Sequence, residues 1–301
     1  MDVSLLWIPA TLATALAQVV RNATQRGLTE LIGTLGATQV RFLYGCPFAL
    51  LFLALALVAT GERLPGPGPN SVPFLLLGSV AQIAATGLML AAMRLRSFSV
   101  VTALIKTEPV LLAGFAFAAL GERPTAAALV AIVVATAGVA AVSWTPKVGN
   151  DAVRGGVLPV ALGLLSAACF ALSAVGFRGA ILGLDGGSFL VRAATALAGS
   201  LLVQTALLGA WLAVFARPAL FGSFREWRRS LGAGFVGALG SQFWFIAFAL
   251  TAAANVRTLA LVEIVLAQLV SRRMFSQGTS PRELVGIGLI CAGVAVLLGA
   301  H

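Results

Sequence analysis

Long apolar stretches separated by short polar connections run along the whole chain. Ten of them are about as long as the roughly 20 residues that a helix needs to cross the hydrocarbon core of a bilayer. We therefore predict an all-α membrane protein with ten transmembrane helices. The stretches are Val3–Val20, Gly36–Thr60, Phe74–Met93, Phe98–Leu120, Thr125–Trp144, Gly156–Gly176, Phe189–Phe215, Leu231–Leu250, Thr258–Phe275 and Leu284–Ala300.

The two halves of the chain resemble each other. A polar connection from Pro146 to Arg154 divides five stretches from five. A shift of 155 residues places Glu108 on Glu263 and the run Ala137-Gly138-Val139-Ala140 on Ala292-Gly293-Val294-Ala295. Because each half has an odd number of helices, the second half must enter the membrane from the opposite face. We expect two inverted five-helix repeats, residues 3–144 and 156–300, with a binding site near the midplane between them.

Composition and charge agree with a membrane protein and argue against nucleic-acid binding. The chain is 59% hydrophobic and 10% charged, whereas soluble domains are about 25% charged. Its net charge of +10 comes from basic residues that are scattered singly between apolar stretches. A nucleic-acid surface would gather them into a patch. Membrane lipid is the expected partner, and nucleic acid is not.

Few residues offer catalytic or metal chemistry. The only histidine is His301, and the three cysteines, Cys46, Cys169 and Cys291, lie far apart inside apolar stretches. Zinc sites and nucleophile pairs that depend on an internal histidine are therefore excluded. No Gly-x-x-x-x-Gly-Lys-Ser/Thr pattern occurs, so ATP is not expected to drive the protein. We expect no catalytic residues, no metal and no cofactor.

Three charged residues lie deep inside the predicted helices, where charge is costly. Glu108 is about ten residues into the fourth stretch, Lys106 precedes it by two, and Glu263 is the repeat mate of Glu108. A charge at the bilayer centre costs about 2.5–3.5 kcal/mol on insertion scales, so these groups must be paired, hydrated or protonated. Desolvation favours a neutral carboxyl group, so Glu108 is a candidate for proton exchange.

Ion pairing gives these charges possible partners. Residues two apart on a helix point to nearly opposite sides, so Lys106 and Glu108 cannot readily pair with each other. We expect Glu263 to partner Lys106, and Arg41 or Arg192 to partner Glu108. A cation and a carboxylate facing one cavity would suit a zwitterion such as an amino acid. The alternative is a purely structural ion pair that locks the two halves together.

Other polar groups complete the set of candidates. Pro109 leaves the carbonyl of Ile105 without its helical donor and is expected to kink the helix, either at a site or as a tolerated packing feature. Uncharged polar groups and aromatics can line a path, or they can bond between helices and face lipid. The predicted substrate or ion pathway comprises Glu108, Lys106, Glu263, Gln242, Trp244, Gln82 and Arg41, with Gln268 as a further polar position.

Several motifs resemble the EamA-type half-repeat of the drug/metabolite transporter superfamily. They are Glu108-Pro109-Val110, Gly121-Glu122-Arg123-Pro124-Thr125 and Ala137-Gly138-Val139, and Arg41 is similar to an arginine that often opens the second helix. The second half is similar through Glu263, Pro281 and Ala292-Gly293-Val294, with Ile264 in place of the proline. The resemblance implies a ten-helix carrier of amino acids, nucleotide sugars, amines or other small metabolites, often an exporter.

We therefore expect a secondary transporter, and not an enzyme, that moves a small-molecule substrate across the cell inner membrane by alternating access as a monomer or homodimer. Proton coupling through Glu108 is one possible driver. The alternatives are a membrane-embedded enzyme that acts on lipid-linked substrates and a membrane subunit that does not transport. The connections after odd-numbered helices hold 13 basic residues, counting Arg272 and Arg273 in the last turn of the ninth helix, and those after even-numbered helices hold 4, which places both termini outside the cell. The family resemblance implies the reverse.

Overall fold

The structure, a computed structural model, describes residues 5–95, 98–143, 157–265 and 281–299. Helices dominate these ranges, and two strands of two residues pair antiparallel, with Gly66 opposite Asp185. The elements are α1 (Trp7–Leu43), α2 (Gly45–Thr60), β1 (Gly66–Pro67), α3 (Ser71–Leu95), α4 (Phe98–Ile105), α5 (Glu108–Leu120), α6 (Ala126–Ser143), α7 (Val157–Leu182), β2 (Leu184–Asp185), α8 (Phe189–Phe215), α9 (Arg217–Arg225), α10 (Trp227–Leu250), α11 (Ala253–Leu259) and α12 (Pro281–Gly299).

Six helical segments of the described residues are long and apolar enough to cross a membrane, which confirms an all-α, multi-pass membrane protein. Two shorter apolar helices, α5 and α6, accompany them. The arrangement as ten spans in two inverted repeats stays a prediction.

The first helix extends well beyond its predicted end. The predicted helix ends at Val20, but α1 continues to Leu43. It is interrupted only at Gly33, where φ is 72° and ψ is 175°. Residues 21–32 are polar but contain no proline and a single glycine, and polar residues of this kind form helices readily. Glycine is the residue that adopts a positive φ without steric cost, so the chain turns there.

Two other predicted helices are broken in the structure. The stretch Phe98–Leu120 forms α4 and α5, of 8 and 13 residues, with Lys106 and Thr107 in a turn between them. The helix predicted to begin at Thr258 begins as α11 at Ala253 instead, and a turn at residues 260 and 261 precedes a further helical segment. A hydropathy pattern cannot show the second break, because the turn residues Ala260 and Leu261 are as apolar as their neighbours.

The chain divides into two compact units that do not follow the predicted repeats. Residues 1–87 and 172–251 form unit 1, and residues 88–171 and 252–301 form unit 2. Each unit takes residues from both predicted repeats, and α3 and α7 contribute to both units. The repeat boundaries at 3–144 and 156–300 remain predictions.

Unit 1 contains the parallel helices α1 and α10. The Thr14 hydroxyl donates to the Gly240 carbonyl at 2.7 Å, and the Trp244 indole Nε1 donates to Gln18 Oε1 at 3.2 Å. Both contacts join residues 226 apart in sequence, as expected of two helices that run in the same direction. In the same unit, α2 and α8 pack together through an apolar cluster that is centred on Ala56, Val191 and Ala194.

Unit 2 is organised around the antiparallel pair α6 and α12. A methyl group at Gly138 would lie 2.7 Å from the Gly286 carbonyl oxygen, and one at Gly293 would lie 2.8 Å from the Ala131 carbonyl oxygen. Gly138 and Gly293 are repeat mates. Gly138 faces Gly286, seven residues before Gly293, and Gly293 faces Ala131, seven residues before Gly138. Glycine is thus required here by the close approach of the two helices.

Candidate functional site

The break between α4 and α5 places a carboxylate at the start of a helix. The Lys106 N–H donates to the Thr102 carbonyl at 3.0 Å, and the Thr107 N–H donates to the Leu104 carbonyl at 3.2 Å, which tightens the last turn of α4. Helix α5 then begins at Glu108, with Pro109 in its first turn. A proline costs little there because the first N–H groups of a helix have no intrahelical acceptor. The interruption predicted beside Pro109 is therefore present as a break.

A matching break lies beside the second glutamate. The Leu261 N–H donates to the Thr258 carbonyl at 3.1 Å, and the Glu263 N–H donates to the Ala260 carbonyl at 3.0 Å. Ile264 occupies the position of the proline, so this turn forms without one. Glu108 lies ten residues after the first residue of α4, and Glu263 lies ten residues after the first residue of α11.

The first ion pair of unit 2 joins the lysine to the second glutamate. Lys106 Nζ donates a hydrogen bond to Glu263 Oε2 at 3.1 Å, and the two side chains are 16% and 12% exposed. The contact predicted from the sequence is therefore present. The repeat mate of Lys106 is Leu261, which packs in an apolar cluster with Val139 and Ile290, so the lysine has no counterpart in the second half.

The second ion pair corrects the prediction for Glu108. Its Oε1 lies 3.0 Å from Nε of Arg257, so Arg257 takes the role that the sequence analysis gave to Arg41 or Arg192. Arg257 is one of the four basic residues that the sequence places in the connections after even-numbered helices, because the apolar stretch begins at Thr258. The sequence does allow a helix that includes Arg257, since residues 252–256 contain neither glycine nor proline and the helix can begin before Thr258.

The four charges form two crossed pairs between the halves of the chain. Each glutamate is matched by a cation from the opposite half, so the site has no net charge when all four are ionised. Burying such pairs gains little stability, because the desolvation of the ions offsets much of their attraction. Within a membrane protein, ionisable groups of this kind typically mark substrate or ion pathways. The arrangement can exchange its internal partners for the charged groups of a ligand.

Arg41 and Gln82 belong to a hydrogen-bonded chain in unit 1. Arg41 Nη1 donates to Thr86 Oγ1 at 3.4 Å, and the same hydroxyl donates to the Gln82 carbonyl at 2.9 Å. The Ser173 hydroxyl donates to Gln82 Oε1 at 2.7 Å. These contacts orient both predicted residues, and their part in a pathway stays a prediction.

Trp244 and Gln242 are buried in α10, also in unit 1. The Trp244 ring is 6% exposed and stacks on Phe248 at 5.6 Å between centroids, so it packs inside the protein instead of facing lipid. Gln242 is 7% exposed, and neither its Nε2 nor its Oε1 has a hydrogen-bond partner among the residues that the structure describes. A buried amide without a partner is costly and is a good candidate for ligand binding. Gln268 lies outside the described residues.

The described ranges bring no three histidine, cysteine, aspartate or glutamate side chains close enough to hold a metal ion.

Comparison with known proteins gives one family and one fold. The EamA-like transporter family matches residues 5–144, and this family belongs to the drug/metabolite transporter superfamily. None of the curated proteins matches the sequence. A solved crystal structure is similar with a TM-score of 0.68 over 98% of this chain and 95% of that chain. Its sequence identity is 18%, so this likeness concerns the fold alone.

Proposed function

We propose that the chain is a secondary transporter, because residues 5–144 match the EamA-like transporter family of the drug/metabolite transporter superfamily. It exports a small metabolite, such as an amino acid or an amine, across the cell inner membrane by alternating access. The substrate and membrane lipid are its partners, it needs no cofactor and no nucleic acid, and it works as a monomer or a homodimer.

The crossed ion pairs carry this proposal. A membrane subunit that only stabilises a partner gains nothing from four buried charges, because apolar residues of similar volume would hold its helices as well. An enzyme acting on lipid-linked substrates would need a catalytic group such as a nucleophile with its base. In unit 2 the charges instead occur as matched pairs beside two helix breaks. Broken helices near the midplane are typical of transporter binding sites.

The pairs suggest how a zwitterion is handled. An incoming carboxylate competes with Glu263 for Lys106, and an incoming ammonium group competes for the released glutamate. Each exchange replaces one buried pair with another, so no charge is left uncompensated at the moment of binding. The breaks at Lys106–Thr107 and Ala260–Leu261 are where the backbone can bend as the site changes its side of access.

Proton coupling follows from the same carboxylates. A glutamate that loses its cation inside an apolar surrounding is stabilised by taking up a proton, because burial disfavours the charged form. A proton and the ammonium group of the substrate therefore compete for this carboxylate, so a substrate that binds on the cytoplasmic side displaces a proton that was taken up on the outer side. Export would then be exchanged for proton entry, with Glu108 as the proton-binding group.

Reconstitution into liposomes tests the proposal. The purified protein is assayed with labelled amino acids, amines and nucleosides, with and without an imposed proton gradient, and liposomes without protein serve as the blank. We expect flux of a charged small metabolite that increases with the gradient. A protein with one of its two ion pairs removed, Glu108→Gln with Arg257→Gln, should give no flux. No flux across the whole panel, or conversion of a lipid-linked compound instead, would overturn the proposal.

A further inference from the structure

Unit 2 contains an open pocket of about 110 Å³ beyond the end of α5. Its floor consists of small and apolar side chains, Ala113, Ala116, Ala128 and Leu297, all of them buried. A single bound water needs about 10–15 Å³ of cavity, so the pocket has room for a small organic molecule. Five alanines line the pocket, Ala252 and Ala254 among them, and they leave room for a compact apolar group but not for the burial of a charge.

Charged and polar residues also line the pocket. Glu122 and Arg123 follow Gly121, which ends α5 in the left-handed conformation at φ 67°, and their side chains line the pocket together with Thr125 and Asn255. The two charges have opposite signs and are neighbours in sequence. A ligand with a single charge would meet one favourable and one unfavourable group, whereas a zwitterion meets two favourable ones.

The pocket adjoins one of the crossed ion pairs through continuous helices. Asn255 precedes Arg257 by two residues on α11, and Ala113 follows Glu108 by five residues on α5. At ~1.5 Å per residue these separations are about 3 and 7 Å along the helix axes. The pocket floor therefore ends about one helical turn from the Glu108–Arg257 pair.

We propose that this pocket is a second binding site, which takes a small zwitterion with its anionic group toward Arg123 and its ammonium group toward Glu122. The proposal rests on the proposed function, since the site would hold the transported zwitterion one turn away from Glu108 and Arg257. The same ammonium-and-anion chemistry occurs in a phosphatidylethanolamine headgroup. A soluble metabolite and a lipid are thus two sources of one ligand chemistry.

Cysteine labelling tests binding without measuring transport. The three native cysteines are replaced by alanine, and a single cysteine is introduced by Ala252→Cys, at a partly exposed position that lines the pocket and caps α11. Ala216→Cys is the matched control, because Ala216 is equally a partly exposed N-cap, of α9, and lies outside the pocket. The reagent is N-ethylmaleimide, and the vesicles contain phosphatidylglycerol alone or together with phosphatidylethanolamine.

We expect a mixture of the common amino acids to slow labelling of Ala252→Cys several-fold in phosphatidylglycerol vesicles and to leave Ala216→Cys unchanged. Slowing by phosphatidylethanolamine alone assigns the same chemistry to a lipid headgroup. Glu122→Gln or Arg123→Gln, added to Ala252→Cys, should remove the protection in either case. Unchanged labelling in both arms, or protection that survives both substitutions, overturns the second site. Flux without protection would contradict this inference alone, and protection without flux would contradict the proposed function alone.

Discussion

Lys106, in the first half of the chain, holds Glu263 of the second half at 3.1 Å between Nζ and Oε2. The mate of Glu263 in the other repeat, Glu108, is held in turn by Arg257 of the second half. The cations are not repeat mates of each other: a shift of 155 residues takes Lys106 to Leu261 and Arg257 to Thr102. Each half therefore supplies one cation that has no counterpart in the other half. That cation pairs with the glutamate of the opposite half and not with the glutamate of its own half.

The first prediction concerns the Lys106–Glu263 pair. Lys106→Met or Glu263→Met leaves one buried charge without its partner, which typically costs about 3–5 kcal/mol of stability. Exchanging the two residues, Lys106→Glu with Glu263→Lys, should restore most of the loss. Unfolding in detergent, followed as Tm, measures the effect.

The exposed pair Glu226–Arg229 is the control, because its arginine side chain is 68% exposed and its single variants should cost at most about 1 kcal/mol. An exchanged Lys106/Glu263 variant no more stable than the worse single one would show that the two residues do not interact.

The second prediction separates stability from transport at Glu108. Glu108→Gln alone should destabilise the protein, because Arg257 then stays buried without its anion. Adding Arg257→Gln should return much of that stability by removing the uncompensated charge, while transport remains abolished in both variants. Thermal unfolding and liposome flux measured on the same preparations give the two readouts. Glu226→Gln, the same change at the surface, should affect neither, and full flux in the double variant would remove the pair from the mechanism.

The sequence predicts the site better than it predicts the helices that carry it. Charged residues inside apolar stretches stand out because lipid penalises them, so Lys106, Glu108 and Glu263 can be found, and the Lys106–Glu263 contact follows from the need for partners. Arg257 could not be identified by the same reasoning. It stands at the edge of an apolar stretch, where a flanking charge and a buried one look alike.

Breaks and extensions of helices are weakly encoded. The turn at Ala260 and Leu261 contains no glycine or proline, and its N–H groups are satisfied by tight turn hydrogen bonds that any residue can make. The extension of α1 through residues 21–32 is not predicted by hydropathy, because the hydropathy of the chain falls after Val20. Polarity marks where lipid ends, whereas helix ends depend on backbone hydrogen bonds and on residues such as Gly33.

The third prediction concerns the break before α5. Pro109→Ala supplies an N–H that can donate to the Ile105 carbonyl, so α4 and α5 can join into one helix. We expect the variant to be at least as stable as the parent protein and to transport several-fold more slowly, because a hinge is lost. The control is Pro73→Ala, the third residue of α3, where the N–H has no intrahelical acceptor. Equal flux in the parent and Pro109→Ala proteins would contradict a mechanical role for the break.

The fourth prediction uses the buried amide of Gln242. Within the described part of the chain its polar atoms make no hydrogen bond, so Gln242→Leu should stabilise the folded protein by about 1–3 kcal/mol. Transport should fall if the amide binds the substrate. Gln82→Leu is the contrasting variant, because it removes the acceptor of the Ser173 hydroxyl and should destabilise the protein by about 1 kcal/mol. A destabilised Gln242→Leu protein would show that the amide already has a partner.

The last prediction concerns orientation, where the charge distribution and the family resemblance disagree. With Arg257 inside α11, the connections after even-numbered predicted helices keep only three basic residues, Arg63, Arg123 and Arg178, against 13 after odd-numbered ones. The positive-inside rule applies to short connections such as these, and it places the basic side in the cytoplasm and both termini outside. A reporter enzyme that is active only outside the cytoplasm, fused after His301, should therefore be active, and a fluorescent protein that matures only in the cytoplasm should be dark at the same position. Fusions after Arg225, in the connection after the seventh predicted helix and therefore on the opposite face, should give the reverse pattern. A silent enzyme fusion together with a fluorescent one after His301 would show that the charge excess does not set the orientation of this chain and that the termini are cytoplasmic, as the family resemblance implies.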